Sequence, residues 1–377
     1  MVRDRPGGGD MGTRCATSSV LHAILLRSVR GLGDRGFRLL VDAFGSPGAV
    51  LSASEGALCR AGASPRLAAR IREAANRREF AEAELARARR LGVEILHYGG
   101  RGYPQILAQL SDPPPVLYAA GNVSALYRPA VAVVGSRDAT EFGLRFAYRL
   151  GRDLSERGLA VVSGMARGID SAAHEGALGA GGVTVAVLGW GIDIVPPGWR
   201  QPLARRIRAR GVLVSEFPFG TPAMPGHFPR RNRLISGLSL GVVVVEAAAR
   251  SGSLITARHA LDQGREVFAV PGRPGYETSR GTLSLIKQGA KLVESVDDVI
   301  EELPPASGGG PAPCRQAGPV VPSGLAGLWE ALGTEPRHID EVAERAGMSP
   351  AEAAAGLMEL TLLGCVQEWP GKRYSRG

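Results

Sequence analysis

The chain has 377 residues, with 45 basic against 36 acidic side chains and a formal charge of +9. Only Lys287, Lys291 and Lys372 are lysines, and none lies in a G-x-x-x-x-G-K-[ST] loop, which excludes a P-loop nucleotidase. Cys15, Cys59, Cys314 and Cys365 form no C-x-x-C pair, and Leu178 stands where a H-E-x-x-H helix beginning at His174 needs its second histidine, so no metal centre is expected.

At roughly 100–200 residues per domain the length suggests two or three domains. The first 18 residues are rich in Gly, Arg and Asp, lack an apolar leader core, and are expected to be disordered. From residue 19 to 91 apolar residues recur at helical spacing, as in Leu21, Leu25 and Leu26, then Leu39, Leu40 and Phe44. Glycine turns at Gly31–Gly33 and Gly45–Gly48 divide this block, and Ser64-Pro65 reads as a helix N-cap with proline at the first position. Short helices joined by such turns suggest a small SAM-like or helix-hairpin-helix-like domain. Residues 71–91 read as one long charged helix.

Residues 92–303 alternate apolar runs with helical segments. The runs are Val93–Leu96, Val131–Val134, Leu159–Val162, Thr184–Leu188, Val212–Val214, Val242–Val245 and Val267–Val270. Near-continuous apolar strands alternating with helices predict a Rossmann-like, doubly wound parallel sheet covered on both faces. Residues 304–323, with six prolines and three consecutive glycines, read as a linker. Residues 324–377 read as three helices followed by a hairpin, a winged helix. Its second helix after the turn, residues 351–363, carries no Lys or Arg, which argues against reading a DNA major groove or acting as a transcription regulator.

Ligands of a doubly wound sheet bind beyond the carboxyl ends of the strands. The strand ends here carry Gly135-Ser136-Arg137, Ser163-Gly164-Met165-Ala166-Arg167-Gly168, and Ser251-Gly252-Ser253 through Thr256. Glycines let backbone amides approach an anion. Ser136, Ser163, Ser253 and Thr256 offer hydroxyls, and Arg137 and Arg167 offer bidentate guanidiniums. Arg230-Arg231-Asn232-Arg233 sets three guanidiniums within four residues, a concentration that needs an anion to offset it. Several phosphates, hence a polynucleotide, fit better than one. Asp170 and Glu246 are the carboxylates nearest these turns. They are read as a helix cap and as a buried hydrogen-bonded group.

The pieces Tyr103-Pro104, Asp112–Tyr118 with Gly121-Asn122, Val133–Arg137, Ser163–Asp170 with His174, Phe228–Leu238, Ser251–Thr256 and Pro271-Gly272 stand in an order that resembles DNA-processing protein A, the DprA/Smf family. The resemblance covers roughly residues 95–295. It implies a cytoplasmic, non-catalytic mediator that binds and protects incoming single-stranded DNA and loads the RecA recombinase in natural transformation. It also implies a homodimer built on the Rossmann domain, without membrane attachment or cofactor. By motif it assigns phosphate contacts to Gly135, Ser136, Arg137 and Arg167, with Asn232, Arg233, Gly252 and Ser253 around the same pocket. Gly164, Gly168 and Arg231 complete the expected site. Related phosphoribohydrolases carry P-G-G-x-G-T-x-x-E where this chain has Arg273, Tyr276 and Ser279, so the alternative, a nucleotide-processing enzyme, lacks its acidic motif.

Overall fold

The computed structural model describes residues 10–74, 78–303, 322–333, 335–362, 365–369 and 371–376. The front block comprises α1 (Asp10–Arg27), α2 (Asp34–Phe44), α3 (Pro47–Ser52), α4 (Glu55–Arg60), α5 (Pro65–Ala74) and α6 (Arg78–Leu91). Helix starts follow local chemistry. Ser46 Oγ accepts from the Ala49 amide at 3.2 Å ahead of Pro47, and Ser64 Oγ accepts from the Leu67 amide at 3.3 Å ahead of Pro65. Gly45, at φ +81°, closes α2 in the left-handed conformation.

Two expectations are corrected here. The helix begins at Asp10, inside the segment expected to be disordered, because Met11 to Ser18 holds no proline and continues into the apolar stripe of α1. Residues 1–9 lie outside the described residues. The charged segment 71–91 is divided between α5 and α6, with 75–77 also outside them.

The sheet region follows with β1 (Glu94–His97), α7 (Gln105–Ala108), β2 (Val116–Gly121), β3 (Ala130–Val134), α8 (Glu141–Glu156), β4 (Ala160–Ser163), α9 (Ile169–Gly179), β5 (Thr184–Val187), α10 (Arg200–Arg210), β6 (Val212–Ser215), α11 (His227–Gly237), β7 (Gly241–Val244), α12 (Gly252–Asp262), β8 (Glu266–Ala269), α13 (Arg280–Lys287), β9 (Lys291–Leu292) and α14 (Val296–Ile300). The strands form one sheet in the order β1-β2-β6-β5-β4-β3-β7-β8-β9. From β6 to β9 neighbouring strands are parallel, as the apolar runs predict for the strands up to β8; the short β9 was not among those runs. The β1–β2 and β2–β6 pairs are antiparallel, which the uniform parallel reading missed. From β3 the chain winds one way to β6, returns, and winds the other way from β7. The switch point therefore lies between β3 and β7.

Each face of the sheet has its own core. Along β3, Ala130, Ala132 and Val134 pack into one cluster and Val131 and Val133 into the other. The second cluster gathers α8, α9 and α14. The first runs without a break from Leu21 of α1 to Leu285 of α13. The front helices thus share a core with the sheet, and residues Met1–Ala312 form one compact unit.

The second unit, Pro313–Gly377, contains α15 (Ala326–Ala331), β10 (Arg337–His338), α16 (Ile339–Ala346), α17 (Pro350–Leu362), β11 (Val366–Trp369) and β12 (Arg373–Arg376). Its strands form a small sheet in the order β10-β12-β11, completing a winged helix. Gly347, at φ +65°, makes the turn between α16 and α17. Apart from Pro322 and Ser323, the expected linker lies outside the described residues.

Candidate nucleic-acid interface

At the switch point the turns after β3, β4 and β7 converge on a cavity of about 680 Å³. The turns interlock through the backbone. The Ser136 amide donates to the Glu246 carbonyl at 2.8 Å, and the Ile169 amide donates to the Ser136 carbonyl at 3.2 Å. A Cβ on Gly135 would stand 2.6 Å from Ile169 Cγ1 and 2.9 Å from the Glu246 oxygen. One on Gly168, at φ +87°, would run into the Ser136 carbonyl. Glycine is required at both positions by close approach, so the turns can expose amides to a ligand only with these residues. Met165, between them, is buried at φ +53° in the left-handed region that disfavours a side chain, a cost that turns at ligand sites often carry.

Of the residues expected to contact phosphates, Gly135, Ser136, Arg137, Asn232, Ser253 and Thr256 line the cavity. Gly252 lines it too, at the start of α12, where Ser251 Oγ caps the Ser253 amide at 3.3 Å. The positive end of that helix adds to the attraction for an anion. Arg137 is exposed, with its guanidinium 5.3 Å above the Phe228 ring. It makes no hydrogen bond or ion pair with any described residue. Arg167 is exposed as well, but pairs with Asp138 and borders a neighbouring cavity together with Gly164.

Three predicted contacts are corrected. Ser163 is fully buried, and its hydroxyl donates to the Val133 carbonyl at 2.6 Å, so it ties β4 to β3. The Arg cluster lies within α11, and its charge is largely offset by the protein itself rather than by a bound anion. Arg233 is 6% exposed in its side chain and pairs with Glu216 at 2.6 Å and Asp34 at 2.9 Å, while Nη1 donates to the Asp112 carbonyl at 2.6 Å. Arg230 reaches the same carboxylates at 3.2 and 3.1 Å. Arg231 is buried beneath the β4 turn, donating to the Gly164 carbonyl at 2.8 Å and to the Val187 carbonyl. Burial pushes its guanidinium down to about 10, against the pull of Asp170. Arg231 and Arg233 therefore hold the floor of the site. Asn232, between them, reaches the cavity and donates to the Gly252 carbonyl at 3.2 Å. The sequence reading missed Arg250 and Arg280 on the rim. Arg250 was legible as the residue directly before the Ser251-Gly252-Ser253 turn.

The two carboxylates hold loops. Asp170, in the first turn of α9, accepts from the Gly164 and Ala166 amides at 3.1 and 3.4 Å, and burial raises it above the usual carboxylate range. Glu246 accepts from the Thr140 amide at 2.9 Å and from its hydroxyl. Among the described residues no group of His, Cys, Asp and Glu could hold a metal ion.

His174 is fully buried on α9. Thr184 Oγ1 donates to the Val161 carbonyl at 2.8 Å, so it can only accept from His174 Nδ1, 2.6 Å away. Nε2 is thus a buried lone pair without a hydrogen-bond partner among the described residues. Burial, with the nearby Arg231 charge, pushes the imidazole down to about 3. An unfolded histidine binds its proton near 6.5. Between those values the unfolded state holds the extra proton. This contribution to stability is therefore present above 6.5 and is lost as pH falls toward 3, at about 1.4 kcal/mol per pH unit. Imidazole NMR at pH 5 should show His174 neutral with the proton on Nδ1. A charged ring in the folded chain would refute the assignment.

The chain is similar in sequence and fold to known proteins. The model for "DNA recombination-mediator protein A" matches residues 94–304, more than half of the chain. This chain belongs to that family. The model for the DprA winged helix domain matches residues 312–372, so the recombination-mediator assignment extends over both compact units. Protein Smf of Escherichia coli K12 is 44% identical over 277 residues, covering 71% of this chain and 74% of the relative. The structure of DNA processing protein A from Streptococcus pneumoniae superposes with a TM-score of 0.65 at 35% identity, covering 75% of this chain and 98% of that one. DNA processing protein A from Helicobacter pylori, solved to show its single-stranded DNA binding mode, gives a TM-score of 0.51 at 30% identity, covering 55% and 94%. Within the recombination-mediator family this chain has the Rossmann-like sheet, the front helices and the winged helix that its sequence predicts. Among the described residues no helix is long and apolar enough to cross a membrane.

Proposed function

We propose that this recombination mediator binds single-stranded DNA across the switch-point cavity, protects incoming strands and loads RecA onto them in natural transformation. In this reading it acts in the cytoplasm as a homodimer formed through the sheet domain. The observation that carries the reading is Arg137, a cation with no hydrogen bond or ion pair among the described residues, at the mouth of a cavity walled by glycine turns, hydroxyls and a helix N-terminus. The DNA-binding mode described for the Helicobacter pylori relative supports the same choice of ligand. Asp170 and Glu246 are held by backbone amides of the turns, and Glu277, which also lines the cavity, pairs with Arg280 at 3.2 Å, which favours the binding reading over a nucleotide-cleaving one.

A salt series tests the proposal. Affinity for single strands should exceed that for duplex of equal length and fall steeply with salt, because each neutralised phosphate releases counterions. Assays run beside it should show that the bound protein speeds RecA filament growth on the strand, and should detect no nucleotide release. Equal affinity for both DNA forms would overturn the binding mode. Unchanged RecA filament growth would overturn the loading role.

A further inference from the structure

The front block contains a repeat that the single-strand site does not use. In α1–α2 and again in α4–α5, a left-handed glycine stands two residues before the N-cap of the second helix. The glycines are Gly31 at φ +92° and Gly62 at φ +97°, and the N-caps are Gly33 and Ser64. Leu32 and Ala63, between them, pack into the core. In both copies the second residue of the following helix is an exposed arginine, Arg35 in α2 and Arg66 in α5. The two turns are neighbours: Arg70, one helical turn beyond Arg66, donates from Nη1 to the Arg30 carbonyl at 3.1 Å. Other arginines of the block are engaged elsewhere in the chain. Arg38 donates to the Leu110 carbonyl at 2.6 Å, Arg87 pairs with Asp193 at 2.5 Å, and Arg27 donates to the Glu216 carbonyl. Arg30, Arg35 and Arg66 are exposed, and their guanidiniums make no hydrogen bond or ion pair with a described residue. Asp34, beside Arg35, is committed to Arg233 at 2.9 Å and Arg230 at 3.1 Å, and Glu73 of α5 stands two helical turns from Arg66.

Two like turns, each presenting a guanidinium without a carboxylate partner, suit two phosphates held at a fixed separation. Among the described residues no exposed aromatic side chain lies on either turn, on α2 or on α5, so an unpaired base finds no platform for stacking. Duplex DNA keeps its bases stacked inside and offers two regular rows of phosphates, and it needs no such platform. We propose that the two turns form a second DNA site, in which Arg35 and Arg66 hold the backbones of duplex DNA with Arg30 beside them. The inference goes beyond the single-strand reading and does not rest on it. The two sites are adjacent all the same, because Asp34 is bonded to α11, and Asn232 of that helix lines the switch-point cavity. Together they suit a strand that is unpaired in the cavity and paired across the turns, with the boundary between single- and double-stranded DNA on this edge of the protein.

The test measures binding of a single strand, a blunt duplex and a duplex with a single-stranded tail. The wild-type chain should bind the blunt duplex more weakly than the single strand, and the tailed duplex more tightly than either, because the two sites then act together. The double variant Arg35→Ala/Arg66→Ala should weaken blunt-duplex binding roughly tenfold and lower the magnitude of its salt slope by about 1.8, the counterion release of two duplex phosphates. Its affinity for the single strand should stay at the wild-type value, and the tailed duplex should lose its advantage. Arg35→Lys/Arg66→Lys, which keeps the charge, should restore most of the slope. Arg137→Ala should do the reverse, losing the single strand and keeping the blunt duplex, so failure of the single-strand reading shows separately from failure of this one. Unchanged duplex affinity and slope in the double alanine variant, or an equal loss of single-strand affinity, would overturn the duplex site. Binding of polyglutamate but not of duplex by the wild type would overturn it in favour of an acidic protein partner.

Discussion

Arg137→Ala should weaken single-strand binding by roughly thirtyfold, equivalent to about 2 kcal/mol for a charged hydrogen-bonded contact. It should also lower the magnitude of the salt slope by about 0.7, the counterion release of one phosphate on a single strand. The effect should be clean because the side chain has no ion-pair partner among the described residues, so its loss strands no carboxylate. Thermal stability should hardly change. Arg167→Ala makes the contrast: Arg167 is paired with Asp138, so its removal also leaves a negative charge facing the strand. Binding and slope that stay at wild-type values in Arg137→Ala would sink the proposed site.

Arg233→Ala should have the largest effect on stability. It removes the buried partner of Glu216, whose side chain is 1% exposed. Removing one partner of a buried pair typically costs 3–5 kcal/mol, about 3 here because Arg230 stays within 3.2 Å of the same carboxylate. Burial already raises Glu216 above the ordinary carboxylate range, with Arg233 the main opposing influence. Without Arg233 its folded value rises further. A raised folded value costs nothing below the unfolded pKa, and the penalty grows as pH climbs through the folded one. Urea unfolding should therefore show a wide gap between wild type and Arg233→Ala at pH 7 that narrows toward pH 4.5. Arg230→Ala, a half-exposed partner, should cost under about 1 kcal/mol. A gap that widens on acidification would refute the assignment of the cost to Glu216.

The same network explains what could and could not be read from the sequence. Parallel strands β3 to β7 were legible because each is buried on both faces and so reads as an apolar run, whereas the two-residue β9 is exposed and left no such run. The turns were legible because close approach forces glycine at Gly135 and Gly168. The partners of Arg233 were not legible: Asp34 and Glu216 lie 199 and 17 residues away, and nothing local marks them. A dense Arg cluster without its carboxylates looks like an anion site. Ser163 misled for a related reason. Residue type shows that a hydroxyl is present, while only the pairing of β4 with β3 shows that it points at Val133. Strand β2 follows Pro113-Pro114-Pro115, which reads as a loop, and its antiparallel direction depends on a return path that no hydrophobic run records.

One consequence of the shared core concerns how this architecture can change over time. A helical block with its own interior can be gained, lost or exchanged as a module. Here Leu25, Leu26 and Phe37 belong to the same continuous cluster as Leu117, Tyr118 and Val214 of the sheet. Tyr118 also donates its hydroxyl to the buried Glu84 of α6 at 2.7 Å. A lineage that lost the front helices would have to re-cover that face of the sheet in the same step. The block is part of the foundation of the fold, and substitutions in the two parts will be selected together.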